Sequence, residues 1–453
     1  MSVAGMSTHN PLARRAVSRK RARCRQLMTI QIAWSLCGLL AAASIVAVAC
    51  RSQPDAATRL AADAETFVRL GLALAERDPD SLDLYAGPPE WRAAAAREQR
   101  TLDDVRDGVR RLAGRVAESR AAGRWRGERL LQQARALAAR IDILKGARPR
   151  FDDESRLLFA TSVAPSDKAR IAAVRADLDR RLPGRGSLRS RYAAYQRAFV
   201  VPESRRTAVL ERALAECRRR ARDHLALPAA EQLTIAWLRN TPWPAFTRYE
   251  GGFRSRLELN ASLTFTLDGA LDLACHEGYP GHHTIAVLQD AELVRQQHLI
   301  EFSLQLRFSP DAVRSEGLAS VAADLAFDEA ERAAFERTEL AAIAGLSAAD
   351  PDVDDHVHIE RLVAELRAVQ VDVARQYLDG ELEFARAAAQ LEDDALVFAP
   401  DAFLKFVNEF RTYPVAYVAG AELVDRELRD TTRNERWARY RDLALYTRNG
   451  MRD

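Results

Sequence analysis

The chain has 453 residues, enough for one large or two ordinary domains with a substantial core. Of its 67 basic and 64 acidic residues, seven basic and no acidic ones fall in the first 49 positions, so the part after them holds 60 basic against 64 acidic residues. Charges this evenly balanced and interspersed are not those of a nucleic-acid-binding surface. A bound nucleotide is also not expected, because neither G-x-x-x-x-G-K-[ST] nor G-x-G-x-x-G occurs.

Residues 1–50 have the features of an export signal. Seven basic residues precede Met28–Cys50, an uncharged stretch of 23 residues, which is the order found in signal peptides. The stretch ends in A-V-A-C and resembles a bacterial lipoprotein processing site, which predicts lipid attachment at Cys50. The alternative is an uncleaved membrane anchor, because 23 uncharged residues can span a bilayer. Either arrangement places the rest of the chain in the bacterial cell envelope, on the periplasmic or extracytoplasmic side of the membrane.

Residues 51–228 predict an N-terminal helical region. Apolar residues recur at three- and four-residue spacing, with arginine and glutamate between them, as on the buried face of a helix. The predicted helices are Ala56–Glu76, Glu90–Ser119, Arg124–Gly146 and Glu203–His224.

A short β-structure is predicted next, between Pro228 and Thr266. Leu233–Leu238 and Phe253–Phe265 are rich in β-branched and aromatic residues, and the pair Gly251-Gly252 marks a turn before the second of them. An exposed edge strand here could hydrogen-bond an extended peptide. The equally acceptable alternative is a hairpin that only covers the core.

Three of the eight histidines lie within residues 276–283, which read H-E-G-Y-P-G-H-H and follow the helix-compatible stretch Leu267–Cys275. Neutral imidazole is the commonest protein ligand of zinc, and a carboxylate such as Glu277 can take a proton from zinc-bound water. In the usual H-E-x-x-H motif the two histidines lie four residues apart on one helix face. Here the spacing is six or seven, which in an unbroken helix would separate the rings by roughly 9–10 Å at about 1.5 Å per residue.

The proline and glycine inside the motif can remove this separation. Pro280 stops the helix and Gly281 accepts unusual backbone angles, so the chain can fold back and bring the rings together. The pattern therefore predicts a Zn²⁺ site that contains His276 and one of the two following histidines. We expect His282, the first ring after the break, to be the ligand, with His283 as the alternative.

Only two cysteines, Cys217 and Cys275, follow Cys50. In an exported protein one bridge between them is arithmetically possible. Because free cysteine is commonly buried, Cys275 is interpreted first as a small core residue.

Helices are predicted again after Leu267. Ser309-Pro310 has the pattern of a cap followed by proline at the first helical position, and it opens the helix that carries Glu316. An acidic segment, Asp350–Asp355, precedes His356 and His358, which are interpreted as surface residues. The last predicted helices are Ile359–Asp379, Glu381–Leu396, Asp401–Phe410, Val415–Asp430 and Asn434–Tyr446.

The motif resembles that of a bacterial family, domain of unknown function eight-eight-five, whose members share H-E-x-x-P-G-H-H. Every fixed position is matched by this chain. Three further family elements lie downstream, E-G-W-A, R-x-x-x-x-D-x-x-x-H and Y-x-x-G, and the resemblance covers roughly the C-terminal half. The corresponding residues here are Glu316-Gly317-Leu318-Ala319, then Arg367, Asp372 and Gln376, then Tyr417 and Gly420, with leucine in place of the tryptophan and Gln376 in place of the last histidine.

The resemblance implies a mainly α, multi-helical zincin-like metallopeptidase fold, with a small β-sheet just before the active-site helix, in residues 229–453. It implies that Glu316 is the third metal ligand beside His276 and His282. Tyr417 becomes the candidate donor to the oxyanion, with Tyr413 as a weaker one. The remaining imidazole of the motif, His283, is expected to orient a ligand or to contact substrate, Tyr279 to line the cleft, and Arg367 and Asp372 to pair between two helices.

The predicted function is that of a membrane-tethered, zinc-dependent hydrolase of peptide bonds or small amides, in which Glu277 acts as the general base. The departures at Leu318 and Gln376 leave a second hypothesis open, a metal-binding envelope lipoprotein without catalytic activity.

Overall fold

A computed structural model describes residues 55–118, 125–239, 241, 243–346 and 353–447. The predicted export signal, including the lipidation site Cys50, lies outside these residues. From Ala56 onwards the chain forms one compact unit that is mainly helical, as predicted. Among the described helices none is both long enough and apolar enough to cross a membrane.

The described residues of the N-terminal region contain eight α-helices, and the predicted helices are found among them. One of them is divided, because the stretch predicted as Glu90–Ser119 turns at Gln99, whose backbone is left-handed. The second part starts where Thr101 and Asp104 exchange backbone-to-side-chain hydrogen bonds of 3.0 and 3.2 Å. The helices are α1 (Ala56–Ala75), α2 (Pro89–Glu98), α3 (Leu102–Glu118), α4 (Trp125–Leu144), α5 (Phe151–Phe159), α6 (Lys168–Arg181), α7 (Leu188–Gln196) and α8 (Arg206–Arg222).

In the described part of the chain five strands form two small sheets. The larger sheet has the order β2-β4-β3, with β2 parallel and β3 antiparallel to the central β4, and the smaller one pairs β1 with β5. The prediction for Leu233–Leu238 is confirmed, whereas the predicted strand Phe253–Phe265 ends at Asn260. The sequence pattern did not predict β1, β3 or β5. The strands are β1 (Leu82–Tyr85), β2 (Gln232–Leu238), β3 (Ala245–Gly251), β4 (Arg254–Asn260) and β5 (Leu304–Leu306).

The motif region lies directly after the larger sheet. Helix α9 widens into a π-helical turn over Ala274–Gly278, and the chain then breaks before the next helix begins at His282. A further π-helical stretch, Gln289–Gln296, continues that helix, and another, Glu336–Leu340, lies between α13 and α14. The helices of this part are α9 (Leu267–Leu273), α10 (His282–Leu288), α11 (Pro310–Ser320), α12 (Ala322–Ala326), α13 (Glu329–Phe335) and α14 (Ala341–Ala344).

The C-terminal part consists, in the described residues 353–447, of helices joined by short turns. The predicted helix Ile359–Asp379 starts earlier than expected and is interrupted at Leu366. Arg367 and Asp372 lie on the same helix and cannot join two helices; Asp372 instead pairs with Arg375 at 2.6 Å. The helices are α15 (Val353–Glu365), α16 (Arg367–Leu378), α17 (Phe384–Asp394), α18 (Pro400–Phe410), α19 (Pro414–Leu428) and α20 (Arg433–Ala444).

A disulfide joins the N-terminal region to the motif. Cys217 on α8 is bonded to Cys275, and the two Cα atoms are 5.7 Å apart. Cys275 is fully buried, as expected, but it is bonded rather than free. The bridge fixes the residue directly before His276.

Candidate metal centre and its cleft

The break in the motif follows from its proline and glycine. The Tyr279–Pro280 peptide bond is cis, and the Gly281 N–H donates to the carbonyl of Cys275 at 2.9 Å. A Cβ atom at Gly281 would collide with the carbonyl oxygens of Cys275 and His276, so no other residue fits without a shift of the backbone. The chain therefore reverses direction between His276 and His282, and the centroids of these two rings are 4.8 Å apart.

Three of the predicted ligands come together at this point. The Nε2 atoms of His276 and His282 lie 3.5 and 3.6 Å from the same oxygen, Oε2 of Glu316. One potential ligand atom from each residue lies within 4.8 Å of the other two. The second nitrogen of His282 contacts the Ser315 hydroxyl at 3.1 Å, and the Tyr413 hydroxyl donates to Oε1 of Glu316 at 2.6 Å. These contacts use Nδ1 of His282 and Oε1 of Glu316. Nε2 of His282 and Oε2 of Glu316 therefore remain available to face each other and Nε2 of His276.

A close helix crossing brings Glu316 to this position. At Gly317 and Gly420 the backbones of α11 and α19 touch, and a Cβ atom on either glycine would collide with the backbone of the other helix. Small residues are what allows two helix backbones to approach this closely. The crossing places Glu316 of α11 beside Tyr413 and Tyr417, which lie at the start of α19.

The charges of the cluster favour an anionic carboxylate. Burial opposes ionisation of Glu316, but the two neighbouring imidazoles outweigh it and hold the pKa of the carboxyl well below its usual range. Burial likewise acts to lower the pKa of His282, yet the Glu316 carboxylate raises it to about 9. Burial also raises the pKa of the Tyr413 and Tyr417 hydroxyls well above 10, so both are neutral donors at physiological pH.

These residues fit a zinc ion. Two imidazoles and one carboxylate form a common set of protein ligands for Zn²⁺ in catalytic sites, where a fourth position stays open to water or substrate. Oε2 of Glu316 is buried and, within the described residues, has no hydrogen-bond partner. Its contacts with the two Nε2 atoms, at 3.5 and 3.6 Å, are longer than good hydrogen bonds, and a cation between these three atoms would bind all of them.

Glu277 lies at the edge of the same cluster. Together with His276, His282, Glu316 and Tyr417 it lines a cleft of about 790 Å³, a volume that includes space open to solvent. Its side chain is 6% exposed, and its Oε2 is another buried oxygen that finds no donor in the part of the chain that is described. The carboxylate therefore belongs to the same cleft as the three potential ligands.

Aromatic side chains form much of the cleft wall. The lining includes Phe246, Phe406 and Phe410, and the Arg307 guanidinium lies 4.6 Å from the Phe410 ring centroid. Arg307 donates to Asp83 at 2.6 Å, so its charge is already balanced. The sequence pattern did not single out this wall, because its residues come from separate helices and strands.

The other histidine of the motif, His283, points away from the cleft. It is fully buried; Nε2 lies 3.0 Å from Glu231 and Nδ1 2.7 Å from the Ser255 hydroxyl. Burial lowers the pKa of His283, so a neutral ring that donates from Nε2 and accepts at Nδ1 satisfies both partners. The same Glu231 accepts a hydrogen bond from Tyr279 at 2.6 Å. Tyr279 is therefore buried beneath the motif, and the expectation that it lines the cleft is wrong.

The structure changes the interpretation of one further histidine and adds a contact made by Tyr440. His356, taken as a surface residue, is fully buried, whereas the side chain of His358 is 36% exposed. The Tyr440 hydroxyl lies 3.0 Å from the carbonyl of Pro280 and 3.2 Å from that of Leu318, and so connects the motif with α11. Its position within a charged terminal helix gave no signal of this contact.

Comparison with known proteins gives weak structural similarities only. No protein-family model and no curated protein matches the chain. A candidate lipoprotein from Colwellia psychrerythraea is similar over 79% of this chain and 66% of its own, just under two thirds, with 12% identity and a TM-score of 0.45. A candidate lipoprotein of unknown function from Shewanella oneidensis is similar over 78% and 76%, with 14% identity and a TM-score of 0.39. The function proposed below therefore depends on the chain's own residues.

Proposed function

We propose that this protein is a zinc-dependent hydrolase of peptide bonds, tethered to a membrane of the bacterial cell envelope. One observation carries the proposal: His276, His282 and Glu316 offer three ligand atoms within 4.8 Å of one another, and the buried carboxylate of Glu277 stands beside them in a cleft. In a purely structural cluster the buried polar atoms would be expected to have hydrogen-bond partners, whereas Oε2 of Glu277 and Oε2 of Glu316 have none among the described residues.

Each residue then has a chemical task. His276, His282 and Glu316 would hold the zinc ion, which would supply a Lewis acid for water activation and for polarising a carbonyl. Glu277 accepts the proton of the attacking water and passes it to the leaving amine. Tyr413 and Ser315 fix the orientation of Glu316 and His282 through the hydrogen bonds described above.

Tyr417 is the candidate donor to the oxyanion. Its ring centroid is 6.5 Å from that of His276, and it lines the cleft on the side of α19. Its hydroxyl stays protonated at neutral pH, as a hydrogen-bond donor to developing negative charge must. Tyr413, the weaker candidate, is engaged with Glu316 and acts as a positioning residue.

The cleft suits an extended peptide. β3 is an edge strand of its three-stranded sheet, and three successive residues of it, Ala245, Phe246 and Thr247, line the cleft. Because side chains alternate between the two faces of a strand, this pattern means that the strand's edge borders the cleft. An edge strand can pair with a substrate backbone, and the aromatic wall would accept an apolar side chain.

Glu277→Gln is the decisive variant. Full-length protein in detergent is measured for zinc by mass spectrometry and for cleavage of a fluorogenic peptide library. The variant should keep its zinc, because Glu277 is not a ligand, and should lose roughly 10²–10⁴-fold in turnover, because general-base catalysis contributes about that much. Glu422→Gln, at an exposed position on α19, serves as the matched control and should retain both.

Two results would oppose the proposal. Equal turnover by Glu277→Gln and wild type would exclude Glu277 as the base. Zinc bound by wild type without cleavage of any peptide in the library would favour the second hypothesis, a metal-binding envelope lipoprotein without catalysis.

The tether is testable separately at Cys50. Mass spectrometry of the N-terminal peptide from membrane-extracted protein should show a chain that begins at a lipid-modified Cys50. A chain that still carries residues 1–49 would instead establish the uncleaved anchor. Cys50→Ala should abolish processing in the first case and change nothing in the second.

A further inference from the structure

A second pocket adjoins the cleft along α10 and α11. Its volume is about 530 Å³, which includes space open to solvent. Ile285, Ala286 and Ser315 are among the residues that line both spaces. The Ser315 hydroxyl also lies 3.1 Å from Nδ1 of His282, so the second pocket begins beside the proposed metal centre. A peptide whose scissile bond lies at the metal therefore has this pocket as a place for its neighbouring residues.

One positive charge in the second pocket has no counter-ion. The charged residues that line the pocket are Arg129, Asp290, Asp311 and Arg314. Nε of Arg129 donates to Asp311 at 3.2 Å. Asp290 accepts a hydrogen bond of 2.9 Å from Arg295. Arg314 pairs with no carboxylate among the residues that the structure describes, although it belongs to the same helix as Asp311. The pocket therefore keeps one surplus positive charge.

The Arg314 guanidinium is held against an aromatic ring. It lies 4.6 Å from the ring centroid of Tyr446, and its Nη1 is 3.5 Å from the Leu443 carbonyl, which is long for a hydrogen bond. Its other N–H groups have no partner in the described part of the chain, and none of these atoms is buried. A planar fork of donors stacked on a ring matches the two oxygens of a carboxylate. Arg314 is therefore suited to bind an anionic group.

A neighbouring guanidinium adds to the positive field. Arg129 lies 5.2 Å from the centroid of the same Tyr446 ring, so two cations border one ring while Asp311 pairs with only one of them. Arg129 is 7% exposed, and its Nη1 is buried without a hydrogen-bond partner among the described residues. Like charges near one another repel. An anion bound by Arg314 would offset a repulsion that the chain's own carboxylates leave in place.

We propose that Arg314 determines specificity by binding a carboxylate of the peptide substrate in the second pocket, while the scissile bond lies at the metal. This inference rests on the function proposed above. Peptides carry such a group at the C-terminus and on aspartate and glutamate side chains, and the guanidinium would bind either in the same way. Arg314 directly precedes Ser315 in α11, and an extended chain advances about 3.3–3.6 Å per residue. The carboxylate therefore lies within a few residues of the scissile bond.

Matched peptides test the proposal on zinc-loaded, full-length protein in detergent. One glutamine-containing peptide from the library is made in three forms: a C-terminal acid, a C-terminal amide, and the amide with its glutamine changed to glutamate. Wild type should cleave at least one carboxylate-bearing form with a KM roughly 10–100-fold below that of the neutral amide, since hydrogen bonds to charged groups contribute about that much. The form with the lower KM identifies the terminal or the side-chain carboxylate as the ligand.

Variants assign the preference to Arg314. Arg314→Met should remove the difference by raising KM for the carboxylate-bearing form to that of the amide. Arg314→Lys keeps the charge without the fork of donors and should retain only part of the difference. Arg426→Met, at an exposed position of α19 that lines neither pocket, is the matched control and should behave as wild type does. Equal KM for all three peptides with wild type would overturn the proposal and leave the function of the cleft intact, whether or not the variants fold.

Binding without turnover separates this inference from the proposed function. Zinc-loaded Glu277→Gln protein is titrated with the three peptides in a calorimeter. The carboxylate-bearing form should bind roughly 10–100-fold more tightly than the amide, and adding Arg314→Met should abolish this preference. If no peptide is cleaved but the preference appears, the proposed hydrolysis fails and the carboxylate site stands. Equal affinities for the three peptides would exclude the site, whatever the outcome for hydrolysis.

Discussion

The Tyr413 hydroxyl orients Glu316 from the side away from the two imidazoles. It donates to Oε1 at 2.6 Å and so leaves Oε2 to face the two imidazoles. Tyr413→Phe removes this bond while keeping the ring, which packs against Phe159 and Phe308. Zinc affinity, measured by competition with a chromogenic chelator, should fall by roughly 10–100-fold, as is typical when a group that orients a metal ligand is lost.

The matching control is Tyr377→Phe. Tyr377 also donates through its hydroxyl, to Asn408 at 3.0 Å, but this bond is exposed and belongs to α16 and α18. Its loss should leave zinc affinity within a factor of about two, because surface hydrogen bonds contribute little. Equal affinity in Tyr413→Phe and wild type would mean that Glu316 needs no orienting partner.

The choice between His282 and His283 shows what residue-level reasoning from sequence could reach. Consecutive helical residues point about 100° apart, so only one of the two can face His276. The partners that occupy His283, Ser255 and Glu231, lie 28 and 52 residues away in sequence, and nothing local announces them. The geometry now favours His282 as the ligand we propose.

At the scale of elements, the crossing of α11 and α19 determines where Glu316 and the tyrosines stand. Gly317→Ala would place a Cβ atom against the backbone of Gly420, so the helices would have to separate. Overpacking of this kind usually costs about 1–3 kcal/mol, and contact with backbone leaves little room to adapt. We expect a fall of that size or larger in the free energy of unfolding, measured with urea, together with weaker zinc binding.

Gly114→Ala tests whether the effect belongs to the crossing. Gly114 lies within α3, and a Cβ atom there would have no neighbour within 4 Å. The substitution should stabilise the protein by about 0.4–1 kcal/mol, since alanine is the better helix former. A comparable loss in both variants would attribute the effect to glycine replacement in general.

Element types were easier to predict from sequence than element ends. Periodicity predicted α1, α4 and α8 because their apolar faces are continuous. Thr101 and Asp104 form a T-x-x-D pattern, which is a signal for a helix start and could have predicted the division at Gln99. The apolar periodicity continues across this position and therefore concealed the signal. β1 and β5 are four and three residues long and pair across 220 residues of chain, so neither length nor pattern could reveal them.

At the scale of the whole molecule, the mainly helical class was predictable, and the cleft was not. The motif and the resemblance supplied His276, Glu277, His282 and Glu316, because these lie in short recognisable patterns. The aromatic wall and the buried contact of Asp268 with His356 draw on residues from distant elements, and so do Phe246 and Phe410 within that wall. Such groupings follow from how helices pack, which no local pattern encodes.

The disulfide between Cys217 and Cys275 concerns both the stability of the whole fold and the cell compartment that we propose for the protein. It links α8 to the motif across 58 residues, and bridges of this kind persist in oxidising surroundings such as the periplasm. Replacing both partners, Cys217→Ala with Cys275→Ala, frees this loop in the unfolded chain. Removal of a native bridge typically lowers the free energy of unfolding by about 2–5 kcal/mol, and we expect a loss in that range from urea denaturation.

The two alanine side chains are smaller than the bridged cysteines and leave a cavity, which could itself lower the stability. Chemical reduction of wild type removes the bridge without such a loss of volume and is therefore the control. Wild type unfolded in the presence of dithiothreitol should lose most of the same stability, while the double variant should not respond, since it has no bridge to reduce. Protein retained in the cytosol by deletion of residues 1–49 should resemble reduced wild type, and exported protein should resemble the oxidised form. If all of these samples unfolded at one urea concentration, the bridge would contribute nothing to stability, and it would no longer support an envelope location.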